Sequence, residues 1–183
     1  MYPESYLVAF DRVIGSEGGF TDDPNDRGNW TSGVIGQGEL RGTKFGISAM
    51  SYPNLDIKNL TPDDAREIYY NDFWLKNNID RLPEVLSYPV FDSAVNAGRN
   101  GTKLLQKALN EFGAGLSTDG IIGNSTLNSI EDLSSDQVIQ LLMIFYSLKI
   151  RYYTSLDSFS RYGKGWVNRV AENLKSSAID LSK

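Results

Sequence analysis

The stretch "GSEGGFTDDPNDRGN", residues 15–29, sets four carboxylates, Glu17, Asp22, Asp23 and Asp26, among four glycines and a proline. A solvated acidic loop accounts for the charge alone, so the residues on either side decide the reading. Upstream, residues 4–17 place Tyr6, Phe10, Val13 and Ile14 at the three-and-four spacing that lines one face of a helix. At 100° per residue Glu17 falls on that same stripe, with Gly18 and Gly19 available as a left-handed helix stop. An acid held against an apolar face, at the negative end of a helix dipole, binds its proton more tightly. Asp26 follows after eight intervening residues, in a polar glycine-rich loop beside Arg27, where a carboxylate stays ionised. Glycoside cleavage needs that division, one carboxyl to donate a proton and a second to activate water or steady a cationic sugar.

Composition narrows the chemistry further. The 183 residues contain no histidine and no cysteine. That excludes a disulfide framework, a cysteine nucleophile, a serine–histidine pair and a zinc site of the usual nitrogen and sulfur ligands. Proton transfer must then be run by carboxylates, tyrosines or lysines, and no metal or cofactor is expected. Counting a calcium loop from Asp23 puts Arg27 at a ligand position and Val34 where the closing glutamate should stand. The net charge of −5 with no basic block gives no footprint for nucleic acid or an anionic membrane. No apolar run reaches the roughly 20 residues of a membrane span. The start "MYPESYLVAF" lacks a secretory signal, so any export is expected to use another route.

From Gly18 to Gly46 eight of the 17 glycines fall in a segment without helical periodicity, expected as a long shaped loop with a small β-hairpin and ordered by Phe20, Trp30 and Phe45. Helices then follow one another. "TPDDAREIYYNDFW" opens on Thr61 as N-cap, Pro62 at the first helical position and Asp64 as the closing partner of a capping box, which gives Asp63 and Asp64 structural work. A helix is expected after Pro89, through Val90, Phe91, Ala94 and Val95 to Asn96 and Gly98. Others are expected through Leu104–Phe112, after the turn "STDG", over residues 136–156, and around "GWVNRVAENL". No linker, repeat or low-complexity tract divides the chain.

"SEGGFTDDPNDRGNW", "GTKFGIS", "YPNLDIKNLT", "YYNDFW" and "FDSAVNAG", in that order, resemble glycoside hydrolase family 108, N-acetylmuramidases of phage endolysins and prophage regions. The family's EGGY-type, DP and T-x-Y/F-G-I-[ST] segments read here as Glu17-Gly18-Gly19-Phe20, Asp23-Pro24 and Thr43-Lys44-Phe45-Gly46-Ile47-Ser48. "LLQKALNEFGAGLSTDGIIGNSTLNSI" is similar to the peptidoglycan-binding region that completes the family, with Asp119, Gly120, Gly123 and Thr126 in its D-G-x-x-G-x-x-T pattern, although Asp119 reads first as a turn residue. The resemblance covers about residues 4–175.

It implies a mainly α, lysozyme-like α+β fold, a helical globule with the glycine-rich loop or hairpin beside the catalytic helix. The expected division is a catalytic lobe over residues 1–87 and a helical peptidoglycan-binding-like lobe over residues 88–183. The implied activity is hydrolysis of the β-1,4 bond between N-acetylmuramic acid and N-acetylglucosamine, with Glu17 as general acid, Asp26 as second carboxylate and Thr43 holding water or substrate. Phage-type lysozymes count five residues from aspartate to threonine, and that count from Asp26 reaches Ser32. Thr43 as the matching residue makes "TSGVIGQGELRG" an insertion and keeps Asp22 and Asp23 as alternatives to Asp26. Asn96, Asp92, Tyr70 and Trp74 are the candidate saccharide contacts, each with capping or packing as its other reading. A lytic transglycosylase and a non-catalytic wall-binding protein are the rival functions. The expected partner is bacterial peptidoglycan, the expected state a monomer, and the expected place of action the periplasm or cell wall after holin-dependent release from the host cytoplasm.

Overall fold

The computed structural model describes residues 1–14 and 19–182, which group into two units, Met1–Asp72 and Phe73–Lys183. As the sequence predicts, the chain is mainly helical, with one small antiparallel hairpin among the described residues.

In the first unit α1 (Glu4–Ile14) buries Tyr6, Ala9, Phe10, Val13 and Ile14, the face set by their helical spacing. Burying each large apolar side chain contributes about 1.5–3 kcal/mol, which holds in place a helix too short to persist alone in water. The partner is α2 (Pro62–Tyr69), capped by Thr61 and Asp64 in the reciprocal box that the sequence predicts. The Tyr6 hydroxyl donates to the Arg66 carbonyl at 2.6 Å, and Phe10 meets the Tyr69 ring edge-on at 5.8 Å. A π-helical turn, Tyr70–Leu75, continues from α2.

The hairpin pairs β1 (Thr43–Lys44) with β2 (Ile47–Ser48), Thr43 opposite Ser48. Its two turn residues, Phe45 and Gly46, both have positive φ, 52° and 75°, the twist that suits a two-residue hairpin. Tyr69 explains why the second must be glycine. Its hydroxyl donates to the Phe45 carbonyl at 3.1 Å, and a Cβ on Gly46 would lie 2.6 Å from that Tyr69 hydroxyl oxygen. The long glycine-rich segment is ordered by isolated bridges, Thr21 to Thr43 and Trp30 to Leu40.

The second unit holds α3 (Glu84–Ala97), α4 (Arg99–Asn110), α5 (Asn124–Glu131), α6 (Ser135–Thr154) and α7 (Phe159–Asp180). Helix α3 starts at Glu84, before Pro89 rather than after it, and Pro89 lies inside the helix. Proline in a helix interior forfeits one backbone hydrogen bond, but Leu86 and Tyr88 before it and Val90 and Phe91 after it are all buried, which carries the helix through. Helix α6 opens on a second capping box, Ser134 with Gln137, and packs against α4 and α7. The D-G turn expected at Asp119 is built as one. Asp119 Oδ1 accepts from Gln106 Nε2 and from the Ile121 N–H, both at 2.8 Å, while Gln106 Oε1 accepts from the Gly120 N–H. These bonds, that from Gln106 first, hold the Asp119 carboxyl below its ordinary pKa.

Helices α3 and α4 meet at Gly101, where a Cβ would stand 1.9 Å from the Ser93 carbonyl oxygen. Both sides of that contact are backbone, so neither can yield cheaply. Gly101→Ala is therefore expected to destabilise the second unit by about 3 kcal/mol, the upper end of overpacking costs. A urea unfolding midpoint equal to the parent's would show that the two helices are not held so close.

Candidate active site and a buried polar hub

Glu17 lies outside the described residues; in sequence it stands three positions beyond Ile14 and four before Thr21. The other carboxylates of the acidic stretch have distinct jobs. Asp23 Oδ1 accepts from both the backbone and side-chain nitrogens of Asn25, at 2.9 and 3.0 Å, the turn-forming work its place before proline predicts. Asp22 is exposed. Asp26 is exposed too and caps the 3-10 turn Arg27–Asn29, its Oδ1 accepting from the Gly28 N–H at 2.9 Å.

That capping bond fixes the Asp26 carboxylate on a backbone frame that also carries Thr43. The Met50 N–H donates to the Gly28 carbonyl at 3.0 Å, tying the Asp26 turn to the segment following β2. The Arg41 and Gly42 N–H groups donate to the carbonyl of buried Asn29, and the Ala49 N–H donates to the Gly42 carbonyl. Thr43 exchanges both backbone hydrogen bonds with Thr21, at 2.8 and 2.9 Å. Asp26, Thr43 and Thr21 thus belong to one hydrogen-bonded frame. The segment between Trp30 and Leu40, the greater part of the insertion expected over residues 31–42, closes on itself. The Thr31 N–H donates to the Glu39 carbonyl, Ser32 Oγ bonds the Gln37 carbonyl, and the Trp30 indole N–H donates to the Pro24 carbonyl. Ser48, opposite Thr43, is a polar neighbour that sequence reading did not single out.

Two of the four expected saccharide contacts, Trp74 and Asp92, are buried. Tyr70 is half-buried in an aromatic cluster, its ring centroid 4.8 Å from Tyr6 and 4.9 Å from Tyr2. Trp74 is 1% exposed and meets Phe91 edge-on at 5.4 Å, so neither face is open to stack on a sugar. Asp92, also 1% exposed, cannot reach a saccharide either. Asn96 alone is exposed, with its amide nitrogen donating to the Asp92 carbonyl at 2.8 Å and to Asp92 Oδ1 at 3.2 Å.

Asp92 is instead the centre of a polar hub joining α3, α6 and α7. Its Oδ2 takes a short charged hydrogen bond from fully buried Lys149 and another, at 2.8 Å, from Asn173 Nδ2. Its Oδ1 takes one from Arg169 at 3.3 Å. Asn173 in turn accepts from the Tyr88 hydroxyl at 2.7 Å through its side chain and from the Tyr146 hydroxyl at 3.1 Å through its carbonyl. Burial pushes the Lys149 ammonium below its ordinary pKa, and the Asp92 charge opposes that shift. Two sequence signals mark the hub: a charge in the apolar run "YPVFDSAV", and a lysine one turn beyond Phe145 on the buried face of α6. Among the described residues no three acidic side chains converge as a metal site, and no helix is long and apolar enough to cross a membrane.

A helical fold with an acidic loop between a short apolar-faced helix and a small hairpin is that of a lysozyme-like glycoside hydrolase. Residues 10–98 match Glycosyl hydrolase 108 and residues 100–171 match the Predicted Peptidoglycan domain. The catalytic region thus belongs to glycosyl hydrolase family 108, and with the second domain the chain is a peptidoglycan hydrolase. The solved structure of Brucella abortus SagA is similar, with a TM-score of 0.74 at 26% identity, over 96% of this chain and 94% of that one. Among curated proteins none matches.

Removing one partner from a buried ion pair leaves the other charge uncompensated. Asp92→Asn and Lys149→Met are each expected to lower unfolding free energy by about 3–5 kcal/mol, and the double variant to lose less than the two together. Single variants within about 0.5 kcal/mol of the parent in urea titrations, the range of ordinary surface changes, would sink the hub's structural role.

Proposed function

We propose that the chain is an endolysin-type N-acetylmuramidase that hydrolyses the β-1,4 bond between N-acetylmuramic acid and N-acetylglucosamine. Glu17 donates a proton to the glycosidic oxygen as the bond from the anomeric carbon breaks. Asp26, in its exposed loop, either steadies the oxocarbenium-like centre while the Glu17 carboxylate takes back a proton from the attacking water, or takes that proton itself. The water oxygen bonds the anomeric carbon, leaving a reducing end, and Thr43 holds that water or the sugar. Asn96 contributes an amide contact to the saccharide. The observation that carries this reading is the Asp26 carboxylate, exposed yet fixed by the Gly28 N–H on the frame that bears Thr43, inside the segment matching Glycosyl hydrolase 108.

General acid catalysis contributes typically about 10²–10⁴-fold, so Glu17→Gln is expected to lose wall-clearing activity by that factor, and Asp26→Asn to lose a substantial part of it. A Glu17→Gln variant that clears a cell-wall gel as fast as the parent removes the assignment. Mass spectrometry of the digest separates hydrolysis, which yields reducing ends, from transglycosylation, which yields anhydro-muramyl ends. The proposed place of action is the periplasm or cell wall after holin-dependent release. Cytoplasmic expression alone should leave host cultures turbid and co-expression with a holin should clear them; clearing without the holin contradicts that route.

A further inference from the structure

We propose that Ser48 is a further residue of the active site and that, with Asp26 and Thr43, it holds the attacking water in the space over Gly28. The inference rests on the muramidase reading above, gives Asp26 the second of its two roles there, and uses residues of the first unit alone. Gly28 takes part by what it lacks. A Cβ at that position would lie 3.3 Å from Asp26 Oδ1 and 3.8 Å from Ser48 Cβ. The two side chains therefore border one space, with nothing from residue 28 between them. The Gly28 N–H meanwhile holds Asp26 Oδ1 at 2.9 Å, which leaves Oδ2 without a hydrogen-bond partner among the described residues.

Strand pairing brings Thr43 beside Ser48. Thr43 spends its N–H and its carbonyl on Thr21, on the side of β1 away from β2, and the Ala49 N–H donates to the Gly42 carbonyl one step along the ladder. Thr43 and Ser48 are thus opposite one another without hydrogen bonds between them, the kind of antiparallel pair whose side chains stand closest, on one face. Both are half-buried. The Thr43 hydroxyl has no hydrogen-bond partner among the described residues. The Ser48 hydroxyl donates to Ser51 Oγ at 3.1 Å and accepts the Ser51 N–H at 3.3 Å. Its oxygen is thereby fixed in place, with one lone pair left to accept.

These free valences fit one water. Its two protons go to Asp26 Oδ2 and Ser48 Oγ, one lone pair accepts from the Thr43 hydroxyl, and the other faces the anomeric carbon. As the water oxygen bonds that carbon, the glycosidic bond breaks, its electron pair stays with the leaving oxygen, and that oxygen takes the Glu17 proton. The proton aimed at Asp26 passes to the carboxylate; the one on Ser48 stays with the new hydroxyl of the sugar. A water held at three points is oriented before the reaction begins, which removes part of the entropic barrier.

The test measures kcat and KM on soluble glycan strands by release of reducing ends, with thermal midpoints by circular dichroism alongside. Losing one hydrogen bond to the water should lower kcat about tenfold in Ser48→Ala with KM unaltered. Ser48→Thr, which keeps the hydroxyl, should recover most of that rate. The Gly28 backbone lies outside the left-handed region, so alanine fits it. Gly28→Ala keeps the N–H that fixes Asp26 but puts a methyl where the water stands, and should lower kcat further with a midpoint like the parent's. Ser51→Ala, which changes only the Ser48 turn, should match the parent in kcat. The inference falls if Ser48→Ala turns over like the parent, if its loss lies in KM or the midpoint alone, or if Ser51→Ala loses as much. It falls too if Gly28→Ala keeps the parent's kcat. Failure of the muramidase reading shows separately, as a Glu17→Gln variant with the parent's rate; a parent that releases no reducing ends overturns both.

Discussion

The buried Asp92 carboxylate fastens three helices of the second unit through four nitrogen donors. Lys149 comes from α6, Arg169 and Asn173 from α7, and Asn96 from the next turn of α3 itself. Desolvating a carboxylate and an ammonium costs several kcal/mol each, so such a pair persists only where the remaining lone pairs and protons are also satisfied. Tyr88, Tyr146 and Ser177 complete that requirement around Asn173 and its neighbours. The hub has both a buried and an open side. Arg169 and Asn96 reach the exterior from the same Oδ1 atom, so the orientation of two surface groups is set by an atom that no ligand can touch.

The first unit is organised differently, by backbone hydrogen bonds around short turns rather than by ions. Asn29 is its anchor, buried, accepting two N–H groups at its carbonyl and donating its side-chain nitrogen to the Asp23 carbonyl at 3.0 Å. Asp23, which shapes the turn, and Asp26, which faces solvent, are thereby given different tasks three residues apart. Tyr69 adds the link to the helical core, since it packs on Phe10 and also bonds the hairpin turn.

Much of the fold was legible because its causes are local. The α1 stripe, the capping box at Thr61 and the D-G turn at Asp119 are each written within a few residues, and the structure has them where spacing puts them. Pro89 misled because a local rule about proline gave way to burial on both sides of it. The hub was hidden for the opposite reason: its partners stand 57, 77 and 81 positions from Asp92, and no periodicity connects them. Trp74 and Asp92 looked like saccharide contacts because aromatic and acidic residues suit that work, but residue type does not tell which side of a helix faces the core. The frame that joins Asp26 to Thr43 was not legible, since it runs through carbonyls and N–H groups that any residue carries.

The bridge between Trp30 and Leu40 separates what this chain must keep from what it is free to vary. The ends of the intervening loop are already joined, so lengthening or exchanging it changes closure entropy slowly, by roughly 0.6 kcal/mol for each doubling. The exposed Val34 and Ile35 can be replaced without disturbing the turns that hold Asp26 and Thr43. The loop is a cassette mounted beside a hydrogen-bonded frame, a place where the contour can change while the turns at Asp26 and Thr43 stay still.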